Sequence, residues 1–319
     1  MSSSTALPLP AAANARGPFR LAVAMLIVTT LTILQGALTT STGSGLAYPD
    51  WPLSDGQLMP VKSYTTLAGF LEHFHRLFAA AAGGMSLAVA WWLHFGHSAD
   101  GTRRADRRAR QTAWLGLGLV AAQGLLGGIH VLLALPPGTS IAHGTLAQLT
   151  LATFAWLAYQ LSERYRATAP VTTVPPGCGR TLVSVALVVL VVQTVLGAVA
   201  RHTNSEHALW THAGNSLVVF IVATIATAAA VGRLAAAPGI KGLAQSIVGL
   251  LILQILLGFV VLVVRNPDGK TPGNVANFGT ASVISVHVLF GALLTVLMAT
   301  LAAHVFRATR APDASQEGA

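Results

Sequence analysis

The 319-residue chain is 53% hydrophobic and only 9% charged, with a mean hydropathy of +0.65. Soluble domains carry about 25% charged residues, so this composition excludes an ordinary water-soluble domain and points to a lipid bilayer as the solvent. The formal net charge of +9 does not mark a nucleic-acid partner, because the cations are sorted by loop and not gathered into a basic face.

Residues 1–20 are rich in Ser, Ala and Pro and are expected to form a disordered cytoplasmic N-terminus. Eight apolar runs follow, at about 21–39, 70–93, 113–133, 141–161, 182–200, 210–231, 243–264 and 282–303. Roughly 20 apolar residues suffice to cross the hydrocarbon core, and backbone groups that cannot stay unpaired in lipid make these runs helices. The run from Leu21 resembles the apolar core of a signal peptide, but no small-residue cleavage site follows it and it is expected to be retained. The predicted fold is therefore an all-α integral membrane protein of eight transmembrane helices.

The loops alternate in charge. Arg16 and Arg20 precede the first run, and Arg103, Arg104, Arg107, Arg108 and Arg110 fill the second loop. Arg164, Arg166 and Arg180 follow run four, Arg233 and Lys241 follow run six, and Arg307 and Arg310 follow run eight. The opposite side holds Lys62, Arg201, Arg265 and Lys270. The positive-inside rule then predicts cytoplasmic termini in the cell inner membrane. The single cysteine, Cys178, permits no intramolecular disulfide and says nothing about redox compartment.

A repeat runs through the chain. Odd-numbered helices carry Gln35-x-x-Leu38, Gln123-x-x-Leu126-Gly127, Gln193-x-x-Leu196-Gly197 and Gln254-x-x-Leu257-Gly258 toward their outer ends. Each following even-numbered helix opens with a histidine: His75, His143, His212 and His287. Four such hairpins predict two pseudo-symmetric four-helix bundles, 21–161 and 182–305. A cytoplasmic linker, 162–181, joins them, and 306–319 form a cytoplasmic tail. The glutamines suit interhelical hydrogen bonding, and the glycines suit close helix packing.

All four histidines fall at one depth near the outer surface. Packing alone does not require the same ionisable residue at each repeat, and such residues inside a membrane are costly and functional. Neutral imidazole is a metal ligand, and histidines on facing helices hold heme iron from two sides. The simplest pairing is His75 with His143 and His212 with His287. His73, His94, His97, His130, His202, His207 and His304 are weaker candidates, most of them at helix ends or in loops.

Glu72 stands one helical turn before His75, on the same face, and Arg76 follows His75 directly. An interfacial Glu–Arg pair and a carboxylate acting beside the iron site are both compatible with this E-x-x-H-R cluster. A di-iron carboxylate site is not, because it needs further intramembrane acids.

At these residues the sequence resembles the heme A synthase family. The resemblance is carried by TGSGLAYPDWPLSDGQ and EHFHRL, then QGLLGGIHV with AHGTLAQ, then QTVLGAVARHT with THAGNS, then QILLG with SVHVLFGALL. It implies an oxidoreductase that converts the C8 methyl of heme O to the formyl of heme A by successive hydroxylations. Substrate heme O would sit in the N-terminal bundle with Glu72, His75 and His143, and a heme b cofactor in the C-terminal bundle with His212 and His287 as axial ligands. The implied partners are the membrane enzyme that supplies heme O, terminal oxidase assembly, an unidentified electron acceptor and the bilayer. The chain departs from the family pattern at Tyr48 and Ser54, where many members carry cysteines, and at Ala213, where arginine often follows the third histidine. A two-heme b-type electron-transfer protein that modifies nothing is the alternative.

Overall fold

The computed structural model describes residues 16–97, 105–169, 176–265 and 277–309, the side chains of 176–178 excepted. Arg103, Arg104, Lys270, Arg310 and the side chain of Cys178 therefore lie outside the described residues. Eight helices of 25 residues or more are present among them: α1 (Arg16–Ser41), α3 (Leu67–Phe95), α4 (Arg107–Leu132), α5 (Pro137–Leu161), α7 (Pro176–Thr203), α8 (Glu206–Arg233), α9 (Ile240–Val264) and α10 (Phe278–Ala308). Two short helices, α2 (Lys62–Thr65) and α6 (Glu163–Ala167), lie in connections. No strand occurs among the described residues.

Seven of the long helices are long and apolar enough to cross a membrane; α5 is the exception. Its composition reflects its place. Helix α5 packs against α1, α4, α7 and α10, and Leu151, Phe154, Leu157, Tyr159 and Leu161 are buried along it. A helix sheathed by other helices meets little solvent of any kind, so its polar Gln148 and Thr150 are buried in protein. The peripheral helices instead expose large apolar side chains, among them Leu115, Val188, Leu217, Phe259 and Val263. Apolar surface on that scale fits lipid contact, not water.

Two departures from the sequence expectation concern boundaries. Arg16–Arg20, assigned to a disordered terminus, form the first turn and a half of α1, and residues 1–15 lie outside the described residues. Pro18 is tolerated there because the first turn has no intrahelical acceptor for its missing N–H. Gly17 lies flat on Trp92 of α3, so close that a Cβ would come within 2.7 Å of the indole. The linker at 162–181 is also partly helical: Ser162 caps α6 through Tyr165 N, and α7 begins at Pro176.

Neighbouring helices close two rings. In the first, α1 and α4 each pack on α3 and α5; in the second, α7 and α9 each pack on α8 and α10. The rings meet where α10 lies on α1 and α5, and α5 on α7. Each ring has an apolar core in the half away from the four repeated histidines. Met25, Val89, Leu93, Ala113 and Phe154 build the first, and Leu190, Ile247, Leu251, Met298 and Leu301 the second. Tyr159 Oη and His304 Nδ1, 2.5 Å apart, share a buried hydrogen bond between α5 and α10 in this same half.

Phe154 fits against Gly116 of α4, whose added Cβ would stand 2.7 Å from the ring. Phe154→Ala empties a fully buried site and is expected to destabilise the protein by about 3–5 kcal/mol. Leu115→Ala, on a lipid-facing position, is expected to change little. Thermal unfolding of both variants in detergent checks the contrast, and equal midpoints would contradict the assigned core.

Candidate functional site

Each repeated histidine is set by the helix that precedes it. The imidazole of His212 presses on Gly197 and that of His143 on Gly127, where an added Cβ would meet Cε1 at 2.8 and 2.9 Å. His287 stands over Gly258 at 3.4 Å by the same measure. A larger side chain at Gly127 or Gly197 would push those rings off the partner helix, whereas the Gly258 contact is ordinary van der Waals packing. One turn before each glycine, a glutamine amide donates to the histidine's own backbone carbonyl: Gln123 to His143, Gln193 to His212 and Gln254 to His287, each at 3.0 Å.

The first hairpin keeps the arrangement but not the sequence register. Here Gly36 is the glycine under the ring, 2.7 Å from Cε1 of His75 by the same test. Thr32, four residues before it, supplies a carbonyl 3.0 Å from His75 Nδ1, as the Gln193 carbonyl lies 3.1 Å from His212 Nδ1. Thr32 therefore occupies the place of Gln193. Gln35 sits about one turn further out and donates to the carbonyl of Leu71, one turn before His75, at 3.1 Å. The repeat Gln35-x-x-Leu38 is thus displaced by three residues from the others.

A carbonyl at Nδ1 accepts that proton and fixes the tautomer in which Nε2 keeps its lone pair for a metal. His75 and His212 are so held. His212 and His287 face each other across the second ring with centroids 6.3 Å apart and planes at 80°. Two imidazoles sharing one metal at about 2 Å per nitrogen stand roughly 6 Å apart centre to centre. A cavity of about 320 Å³ opens around them, lined also by Gln193, Gly197, Gln254 and Gly258. Nδ1 of His287 is buried without a hydrogen-bond partner, and its Nε2 lies 3.3 Å from Gln254 Nε2. Donor chemistry, spacing and the open volume all suit a metal-centred planar ligand.

The first ring differs. The ring beside His143 is His130, stacked at 6.0 Å with planes at 16°, and Gln123 Nε2 lies 3.1 Å from both His143 ring nitrogens. His130 also meets Thr139 Oγ1 at 2.8 Å through Nδ1. Sequence reasoning ranked His130 low because it falls near a loop; Gly128 and Gly127, two and three residues before it, bring its helix close enough for the stack.

Glu72 is 3% exposed, and both of its carboxylate oxygens are engaged. One accepts from Arg76, the other from the Tyr48 backbone amide at 2.9 Å. Arg76 also donates to the carbonyls of Tyr48 (2.8 Å), Asp50 (2.7 Å) and Leu53. The pair thus ties the segment 48–54 onto α3. Trp51 of that segment lies against Gly128, where a Cβ would reach within 2.5 Å of the indole, so the loop covers the outer end of α4. Tyr48 and Ser54, at the two ends, both meet His73. The Tyr48 ring stands edge-on at 6.0 Å, and Ser54 Oγ bonds Nδ1 at 3.0 Å. Burial and the charges of Asp55 and Glu72 push the Tyr48 phenol up from its ordinary value. Partial burial raises the Asp50 carboxyl, but the amides of Gly56 and Asp55 outweigh it and hold the group below the usual carboxylate range.

Sequence reasoning passed over Thr32, Asn215 and Arg201. Asn215 Nδ2 donates to Gln193 Oε1 at 2.8 Å, a contact that no periodicity foretells. Arg201, counted with the outer loop, lies in the last turn of α7 and lines the cavity. An arginine within a spanning helix was the available signal.

The family profile described as Cytochrome oxidase assembly protein (COX15-CtaA) matches residues 19–218. The chain belongs to this family. The matched segment holds the first three histidine units of this cytochrome oxidase assembly protein family member; the fourth, with Gln254 and His287, lies beyond it and rests on the shared geometry. Among curated relatives, the chain is 34% identical over 148 residues to a heme A synthase of Methylobacterium nodulans, covering 42% of this chain and 39% of that protein. It is 35% identical over 153 residues to one of Methylobacterium sp. (strain 4-46), covering 44% and 41%. It is 29% identical over 198 residues to one of Bacillus licheniformis, covering 58% and 57%. The matches thus span about two-fifths to three-fifths of these relatives' length.

Arg76→Met leaves Glu72 buried with one partner fewer and three loop carbonyls unbound. Removing one member of a buried pair costs about 3–5 kcal/mol, so the loop at 42–61 is expected to become sensitive to protease while the helices remain resistant. A digestion pattern identical to wild type would contradict the staple. The Asp50 turn has its own pH signature. A carboxyl held below its unfolded value near 3.9 stabilises above that pH and loses the contribution as pH falls through the lower folded value. Protection of the Asp55 and Gly56 amides, relative to their intrinsic exchange at each pH, is therefore expected to hold at neutral pH and to fall only in strong acid.

Proposed function

We propose that this chain is a heme A synthase, an oxidoreductase that converts the C8 methyl of heme O to a formyl group and so furnishes heme A for terminal oxidases. The observation that carries the reading is the histidine set over a glycine of the preceding helix, which recurs in each hairpin of a chain of this family. The two helix rings are read as two pseudo-symmetric four-helix bundles, 21–161 and 182–305. Together they give eight transmembrane helices, α5 counted as the eighth. Termini in the cytoplasm and residence in the cell inner membrane follow from the loop charges.

In this reading His212 and His287 hold heme b, and His75 and His143 hold substrate heme O. The iron of a bound heme supplies the redox chemistry. The chain's own residues do the rest. The carbonyls of Thr32 and Gln193 orient His75 and His212, and the loop bearing Trp51 excludes water from the first bundle. Glu72, one turn from His75, is the carboxylate able to accept a proton near a heme held there. The enzyme that makes heme O and an unidentified electron acceptor are the implied partners.

A second reading, a two-heme b-type protein that only passes electrons, is favoured by one observation: both Glu72 oxygens are already committed to Tyr48 and Arg76. Product analysis separates the two. Membranes supplied with heme O are expected to yield heme A or hydroxylated heme O on extraction; heme b alone would sink the enzyme reading. Glu72→Gln is expected to leave the second-bundle spectrum near normal and to lower heme A by roughly a hundredfold or more, the scale of losing an acid–base group. His212→Ala or His287→Ala is expected to abolish the low-spin b-type spectrum, and full retention in both variants would reject that ligand pair.

A further inference from the structure

The cavity around His212 and His287 is asymmetric along the membrane normal. Its inner wall is formed by Leu190, Val219, Leu251 and Leu294, which belong to the apolar core of the second ring. Its outer end is lined by Arg201 and Arg265. Arg201 lies four residues beyond Gly197 and Arg265 seven beyond Gly258, hence about 6 and 10 Å further out along α7 and α9 at 1.5 Å per residue. An apolar floor below the ligand pair and two cations above it suit one class of occupant, a flat apolar macrocycle carrying carboxylates on a single edge.

Arg201 carries the stronger sign. Its Nη2 donates to Ala37 O and Ser41 Oγ of α1, both at 2.7 Å, while its Nε is buried with no hydrogen-bond partner. A guanidinium has five donors in a fixed fork, and leaving a buried charged donor unpaired is costly. Arg265 is paired, but with a carboxylate of the chain itself. Glu206, itself lining the cavity and half exposed, takes both guanidinium nitrogens at 2.7 and 3.2 Å. A carboxylate already sits, therefore, where a ligand carboxylate would bind. At the position after the third histidine the chain has Ala213, so no cation is supplied from there.

We propose that Arg201 and Arg265 receive the two propionate carboxylates of the tetrapyrrole in the second cavity, and that Glu206 holds the Arg265 side of this site until the ligand displaces it. The inference rests on the heme reading and assigns the polar half of that site. Bidentate pairing of guanidinium with carboxylate is among the stronger hydrogen-bonded contacts, and at the low-dielectric end of a membrane cavity it fixes which edge of the macrocycle faces outward.

The test uses full-length protein depleted of heme and titrated with hemin or with hemin dimethyl ester, whose carboxylates are masked. Wild type is expected to bind hemin roughly tenfold to hundredfold more tightly than the ester, the range of one or two charge-assisted pairs. Arg201→Gln and Arg265→Gln are each expected to narrow that ratio, chiefly by weakening hemin, with the low-spin spectrum of His212 and His287 retained. Arg201→Lys keeps the charge and the fold and is expected to preserve part of the discrimination. Glu206→Gln frees Arg265 and is expected to tighten hemin and leave the ester unchanged. Equal affinity of wild type for hemin and ester, with the low-spin spectrum formed by both, overturns the carboxylate assignment and leaves the heme reading intact. Failure of both compounds to give that spectrum overturns the heme reading and this proposal together.

Discussion

An imidazole inside a membrane must find a hydrogen-bond partner for one nitrogen if the other is to be offered to a ligand, because a buried polar atom without a partner costs free energy. In α1 and α7 that partner is a backbone carbonyl of the preceding helix, Thr32 O for His75 and Gln193 O for His212. The bond forms only where two helix backbones come close, and closeness requires the absence of a side chain at Gly36 and Gly197. The glycine thus sets the interhelix distance, the distance places the carbonyl, and the carbonyl orients the ring. His143 and His287 lack this contact: Gln123 Nε2 faces both ring nitrogens of the first, and Nδ1 of the second has no partner.

The second ring is packed with apolar side chains at one end and open at the other. In the half away from the histidines, residues such as Ala223, Ala226, Ala302 and Met298 are buried in one apolar cluster. In the histidine half of the second ring, a cavity opens around His212 and His287. Arg201 spans the two rings at this open end. Its bonds to Ala37 and Ser41 hold α1 next to the residue that touches His75. A disturbance at the outer end of α7 therefore has a short mechanical path to the first histidine.

Much of this was legible in the chain, because hydrophobic runs and repeated polar residues have direct physical causes. The long helices fall where the apolar runs do, and the four histidines take equivalent places on helices that follow a glycine-bearing partner. Register was less legible. Gln35 matched the Q-x-x-L pattern yet sits one turn away from the position of Gln193, since Thr32 fills that position by its backbone carbonyl and a carbonyl leaves no trace in residue type. The pairing of His143 with the His130 ring was also hidden, because stacking depends on a helix-to-helix distance set by several glycines jointly. Helix α5 was read as a span on length and apolarity together, although protein contacts, not lipid, account for much of its buried surface.

The loop after α1 shows how a chain without cysteines at Tyr48 and Ser54 can still fix its outer lid. Both positions converge on His73, and the neighbouring Glu72–Arg76 pair binds four groups of the same segment. A cross-link would act largely by limiting the unfolded loop; a charge staple acts only while the folded geometry is kept. The staple also draws Glu72 into the loop. Its carboxylate can serve chemistry beside His75 only if it trades the Tyr48 amide or the Arg76 guanidinium for the reacting proton, so closure of the lid and availability of the base are opposed through one side chain. In the proposed heme A synthase, Glu72 would accept a proton only after giving up one of these two partners.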